Sequence, residues 1–384
     1  FNKVCEVIVP PTTPTPTPTP TVTPTPTVTP TPQPTPTPSM LPITTVGIIL
    51  TDDGTKGLYT TDFNYWTEFD IDPSPVQWNS IAYGNGKYIA VGQPGVNFAV
   101  TSVDGINWTR VSLPESGNWV SIVYEHGKFI ALASNGSVID STDGVNWNVN
   151  ALPNPGSALW KDLAFGGNRF VAVRDNRESA YLDLGSSNWQ SGGTVSEYLD
   201  GPGIYKLTYT ADRFILLKSQ AGITSGSTNG TSWNFAGGFN EGAINWSTAV
   251  YGNGKIIATG APMFNFVNYS TNNGQSWQTA YCSPGNYMSG AYWNNTYYFV
   301  SKYDNKIIRS TDGVNWDNIT LPVSRSWSAF IVNRDPTASY YGNNNNYYTM
   351  NSFNSLNSNN QSNSSANDQE IKARVFIDPL GYSR

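Results

Sequence analysis

Ser310-Thr311-Asp312-Gly313-Val314-Asn315-Trp316 decides how this chain folds, because near-copies of it return along residues 60 to 316. Each part has a physical task. A short polar residue followed two later by Asp and then Gly makes a tight turn, in which the carboxylate accepts backbone N–H groups and the Gly tolerates positive φ. The Trp then covers the turn. Aligned on that residue, the copies end at Trp66, Trp108, Trp147, Trp189, Trp233, Trp277 and Trp316, 39 to 44 residues apart, which is the spacing of propeller blades. Asp holds the turn at Asp62, Asp104, Asp143 and Asp312, and Asn holds it at Asn229 and Asn273. The fourth copy, Asp183-Leu184-Gly185-Ser186-Ser187-Asn188-Trp189, has lost the pattern.

Between the motifs the sequence reads as short strands. One repeat runs from Trp78 to Tyr83, through a Gly84-Asn85-Gly86 turn, then Lys87 to Gly92, a loop, Phe98 to Thr101, the motif, and Asn107 to Val111. The alternation and the Gly/Asn turns predict four antiparallel strands per repeat. The first-strand marker returns at Trp119, Trp160, Tyr205, Trp246, Met288 and Trp327. The first repeat lacks such a strand and starts at Thr45-Val46-Gly47-Ile48-Ile49-Leu50, while residues 326–332 form an orphan first strand after the seventh motif. Setting Trp327 and Phe330 beside Val46 and Ile48 closes the ring and removes two exposed sheet edges. The predicted fold is therefore all-β: a seven-bladed β-propeller of four-stranded antiparallel blades over residues 42–333.

The flanks differ in kind. Residues 1–9 are a short β-branched run, suited either to strand addition on another sheet or to a loose end. Residues 10–41 carry a near-strict Thr-Pro alternation. Proline fixes φ and biases the preceding residue away from the α region, so a polyproline II stalk on the order of 90 Å is predicted. Its threonines, Thr15, Thr17 and Thr19 among them, are acceptors for O-linked sugar in a glycosylated stalk and plain spacers in a bare one. Residues 334–370 are rich in Asn and Ser and read as a linker. Residues 371–384 include Ile371-Lys372-Ala373-Arg374-Val375-Phe376-Ile377, whose alternation suits a half-buried strand.

Ser-x-Asp-Gly-x-x-Trp resembles the Asp-box, or bacterial neuraminidase repeat, of sialidase-like propellers. The resemblance covers most of residues 44–333 and implies the fold far more specifically than an activity. Thr-Pro stalks joined to such repeats also resemble structural proteins of tailed-phage virions, cyanophage-like ones in particular. That likeness implies a non-enzymatic fibre, appendage or capsid-attached decoration on a virion or extracellular surface. Its partners would be capsid, tail or like subunits held through residues 1–9 and 371–377, with host glycan at the head. A secreted bacterial filament built by terminal strand donation is the alternative, and a sialidase-like glycoside hydrolase is a third.

The chemistry-bearing residues favour binding over catalysis. Net charge is −6 with no Lys/Arg cluster, which argues against nucleic acid. No apolar run reaches the roughly 18 residues of a membrane span. A sialidase would need an arginine triad and an Arg-Ile-Pro start, and no Arg-Ile-Pro occurs. Arg169 and Arg213 align with Lys87, Lys128 and Lys255 after the first hairpin turn, and read as solvated residues. The acids outside the motif turns are Asp175 and Glu178, and Glu197 and Asp200 after Trp189. These are the candidates for a carboxylate pair about 5 to 10 Å apart. The single histidine, His126, falls in a hairpin turn. No metal or cofactor is expected. Cys5 and Cys282 read as free thiols. Phe264, Phe266 and Tyr287 are the candidates for stacking on sugar rings, and Asn107-Trp108-Thr109 and Asn229-Gly230-Thr231 match glycosylation sequons.

Overall fold

The computed structural model describes residues 45–332, apart from 73, 154–157, 196–204, 219–221, 240–244 and 262. The two terminal segments, the stalk threonines Thr15, Thr17 and Thr19, Cys5, Glu197 and Asp200 lie outside the described residues. Seven four-stranded antiparallel sheets make up the described part. They are numbered here as blades 1 to 7 in chain order from residue 45. Their innermost strands are Gln77–Gly84, Trp119–Glu125, Trp160–Gly166, Tyr205–Tyr209, Asn245–Gly252 and Tyr287–Trp293 in blades 2 to 7, and Trp327–Val332 in blade 1.

Ring closure follows the predicted pairing. Trp327–Val332 lies antiparallel to Gly47–Thr51, with Gly47 opposite Val332, Ile48 opposite Ile331 and Ile49 opposite Phe330. Phe330 and Ile48 are fully buried. Val46 sits just outside that ladder, half-buried, and donates its N–H to the Thr60 carbonyl at 2.8 Å. The register shifts after the leading aromatic here, as it does after Trp78, Trp119, Trp160, Trp246 and Tyr287. The borrowed strand thus repeats the irregularity of the strands it imitates.

Each blade buries both faces against its neighbours, so the inner strands are buried along nearly their whole length. Ile48-Ile49-Leu50 and Phe214–Lys218 are buried at every position, whereas the outer strand Asn148–Ala151 has no buried residue. Alternation therefore appears only at the rim. Seven apolar clusters result, each spanning one seam. The closing seam joins Leu58, Phe63 and Trp66 of blade 1 to Tyr298 and Ile307 of blade 7.

The innermost strands leave a row of backbone groups with no fifth strand to pair with, and side chains take up part of that demand. Ser80 Oγ accepts the Ile122 N–H of the next blade at 3.1 Å. At the matching place in blade 4 stands a carboxylate, Asp162, fully buried. Its Oδ2 accepts Leu207 N–H of blade 5 at 3.0 Å and its Oδ1 accepts Leu163 N–H at 2.9 Å. Burial pushes this carboxyl up to about 6, against the opposing pull of Lys206. Its folded value thus exceeds the unfolded one, so the folded state binds the proton more tightly between about pH 4 and 6. The stability linked to this group is fully present below that window and is lost as pH rises through 6. Relative to Asp162→Asn, the wild type is expected to lose roughly 2 to 3 kcal/mol between pH 4 and 7. Thermal unfolding of both proteins across that range measures the difference, and parallel curves would contradict it.

Candidate functional site

Antiparallel strands send alternate turns to opposite faces of the ring. The first hairpin turn of blades 2 to 7 and the motif turn of every blade emerge on one face. The middle turn and the connection to the next blade emerge on the other. The seven motif turns therefore form a circle at the rim of a single face.

Within a turn the bonding is local and complete. Ser310 Oγ accepts Gly313 N–H at 2.7 Å and donates to Asp312 Oδ1 at 2.9 Å. Asp312 Oδ1 accepts the N–H groups of Val314 and Asn315, each at 2.8 Å. Asp143 makes the same set in blade 3. These N–H groups hold both carboxyls far below the usual carboxylate range, first through Asn315 and Asn146. Asn229 serves in the same way through Oδ1 in blade 5. In blade 6 the turn holds one more residue, and Asn272, not Asn273, does this work by accepting Ser276 N–H at 2.9 Å. Asn273 instead takes a positive φ of 54° and donates to Asp212 of blade 5 at 2.9 Å. Trp108, Trp233 and Trp277 donate Nε1–H to the glycine carbonyl of their own turns at 3.1–3.2 Å.

The turns also join blades. Gly144 leaves no room for a side chain: a Cβ there would lie 2.5 Å from Ile89 Cδ1 of blade 2. Gly313 has the same relation to Ile257 of blade 6, at 2.6 Å. Each turn thus sits on the second strand of the blade before it. In three seams a cation at the head of that strand reaches up to the same turn, while Thr45 does so for the turn of blade 2 and Arg213 pairs with Asp212 instead. Lys87 Nζ donates to the Asp143 carbonyl at 2.8 Å, Arg169 Nη1 to the Asn229 carbonyl at 2.7 Å, and Lys255 to the Asp312 carbonyl. Arg169, expected to be solvated, is accordingly a clamp across a seam, further held by Asp183 at 2.7 Å.

Two turns depart from the scheme. In blade 1, Phe63 stands in the glycine place at φ 62° and stacks on Tyr298 of blade 7, centroids 4.1 Å apart. In blade 4, Leu182 occupies the ladder position that Ser141 holds in blade 3, so the hydroxyl that folds the turn is missing. Nothing approaches within 4 Å of a Cβ built on Gly185.

On the opposite face the expected acids are tied into structural pairs. Asp175 accepts Leu159 N–H at 2.9 Å and meets Lys161 Nζ at 3.4 Å. Glu178 meets the buried Arg174 at 3.0 Å. No cluster of three or more His, Cys, Asp or Glu placed to hold a metal occurs among the described residues. His126 is a turn residue at φ 49°, its ring 4.8 Å from Phe165, and burial lowers its pKa. Burial likewise pushes the Cys282 thiol up to about 12, which keeps it protonated.

The sugar-stacking candidates separate. Phe264 and Phe266 are half-buried on the third strand of blade 6, centroids 5.1 Å apart. Tyr287 is fully buried and donates its hydroxyl to the Ser283 carbonyl at 2.5 Å. It heads the innermost strand of blade 7, the place expected for Met288, and so presents no ring to a ligand. Tyr65, Tyr281, Tyr303 and Phe235, 80%, 74%, 61% and 55% exposed, are outward-facing aromatics that the sequence reading missed. Tyr65 was findable as the residue preceding a motif Trp.

No protein-family model matches the sequence, and no curated protein is similar to it. Solved propellers are similar to it in structure. A catalytically inactive virginiamycin B lyase from Staphylococcus aureus with quinupristin shares 14% identity, covering 66% of this chain and 86% of that one, with a TM-score of 0.54. YCF48 bound to D1 peptide shares 16%, covering 68% and 91%, with a TM-score of 0.50. At such identity the likeness establishes the fold alone.

The seating of the turns generates a contrast between two glycines. Gly144→Ala meets both a left-handed backbone and Ile89, and is expected to destabilise by about 2 to 4 kcal/mol. Gly185→Ala meets the backbone cost alone, about 1 to 2 kcal/mol. Urea unfolding of the two variants reads the difference, and equal losses would contradict the seating.

Proposed function

We propose that this chain is a non-enzymatic display protein of a virion: an appendage, fibre or capsid-attached subunit carrying the propeller for particle stabilisation or contact with a host surface. The observation that supports this reading is how the acidic side chains are used. Asp62, Asp104, Asp143 and Asp312 are spent on their own turns, and Asp175 and Glu178 on ion pairs. A closed ring with this much internal bonding is a rigid body to mount. The Thr-Pro run that precedes it in the sequence suits a spacer, and the resemblance to Asp-box repeats with such stalks supplies the virion.

The strand-like sequences at residues 1–9 and 371–377 favour a second reading, a secreted filament whose subunits exchange terminal strands. Cryo-electron microscopy of the native material separates the two. Propellers projecting from a capsid or tail at the N-terminal end of the chain are expected. A head-to-tail chain of propellers with no particle attached would overturn the virion reading in favour of the filament. Hydrolysis of a fluorogenic glycoside by the purified chain, lost on Glu197→Gln, would overturn the non-enzymatic reading.

A further inference from the structure

The seam between blades 3 and 4 is the one where a turn is not seated, and a cleft of about 240 Å³ lies there. In the neighbouring seams the glycine turn covers the second-strand aliphatic residue, Ile89 or Val171. The corresponding residue of blade 3, Ile130, lines the cleft together with Leu182 and Trp189. Lys128, the counterpart of the clamps Lys87 and Arg169, has no turn carbonyl to hold. It lies 3.4 Å from Asp140 of its own blade instead.

The lining is equipped with polar groups that the fold leaves idle. Trp189 is 8% exposed, and its Nε1–H meets no acceptor among the described residues; Trp66, Trp147 and Trp316 share that lack, but Trp189 is the motif tryptophan that lines the cleft. The hydroxyls of Ser186 and Ser187 on the rim make no hydrogen bond there either. Asn148 and Asn150 both donate to Asp140, leaving their carbonyl oxygens free to accept. Lys128 and Asp140 cancel in charge.

From this arrangement we infer that the cleft is a binding site for one pyranose ring of a neutral glycan. An uncharged ligand suits a wall whose cation and anion are paired, because neither charge is then stripped of its partner. A polyol needs donors and acceptors together, which carboxamides, hydroxyls and an indole N–H supply. The apolar floor of Ile130, Leu182 and Trp189 matches the C–H face of a sugar ring. A cleft of about 240 Å³ is of the size to take a single small ring. This site is separate from Phe264 and Phe266, and the inference is independent of what the chain is mounted on.

Saturation-transfer NMR of the full chain with the methyl glycosides of glucose, galactose, mannose and N-acetylglucosamine tests it. At least one is expected to bind with a Kd on the order of 1 mM, as fits so small a ligand. Its binding should shift a tryptophan Nε1–H resonance that Trp189→Phe removes. Asn148→Ala, at an exposed rim position, should weaken binding at least fivefold with an unchanged Tm. No binding by any of the four glycosides at about ten times that concentration, or binding unaltered in both variants, would overturn the assignment.

Discussion

The seat of each motif turn on the blade before it is the constraint on which the ring depends. A four-stranded blade has two apolar faces and cannot bury either alone, so its stability rests on seams. At the inner strands the seams are held by area, in seven apolar clusters. At the rim, strands are exposed, and a specific contact is needed to fix how far adjacent blades rotate against each other. A bare glycine lying on Ile89 or Ile257, with a lysine bonded to the turn carbonyl, provides it. The motif is thus as much an intermolecular-style interface, repeated within one chain, as it is a turn.

The two irregular turns show what the seat requires. Blade 1 has lost its glycine, but the residue beneath has changed with it. Phe63 meets Tyr298 where glycine elsewhere meets an aliphatic side chain, and Trp66 closes edge-on at 5.8 Å. A bulky residue at φ 62° is costly, and buried aromatic stacking offsets that cost. Blade 4 has no such exchange: Leu182 removes the hydroxyl, Ile130 is unchanged below, and a cleft remains. One departure is absorbed by packing and the other leaves room.

Most of the ring could be read from the sequence because its signal is repetitive. Trp at blade spacing, Gly/Asn hairpins and an orphan strand at residues 326–332 led to the observed sheets and closure. The misreadings arose where a repeat changes length or where a contact spans blades. One extra residue in the sixth turn moved the working carboxamide from Asn273 to Asn272. A Tyr in place of Trp hid the marker role of Tyr287 and made it look like loop surface. Arg169 touches a turn 60 positions away, and no local pattern announces that bond. The decay of the fourth motif was visible, but the cleft it leaves belongs to the seam and needs both blades to be seen.

A double-mutant cycle on Phe63→Gly and Tyr298→Ile tests the seat most directly. These substitutions rebuild in the closing seam the glycine-on-aliphatic contact found at Gly144 and Ile89. If the turn and the strand beneath it form one matched unit, each single change destabilises. The double variant then recovers at least about 1 kcal/mol relative to the sum of the two. Strictly additive losses would contradict the account, leaving the inner apolar clusters alone to set the ring.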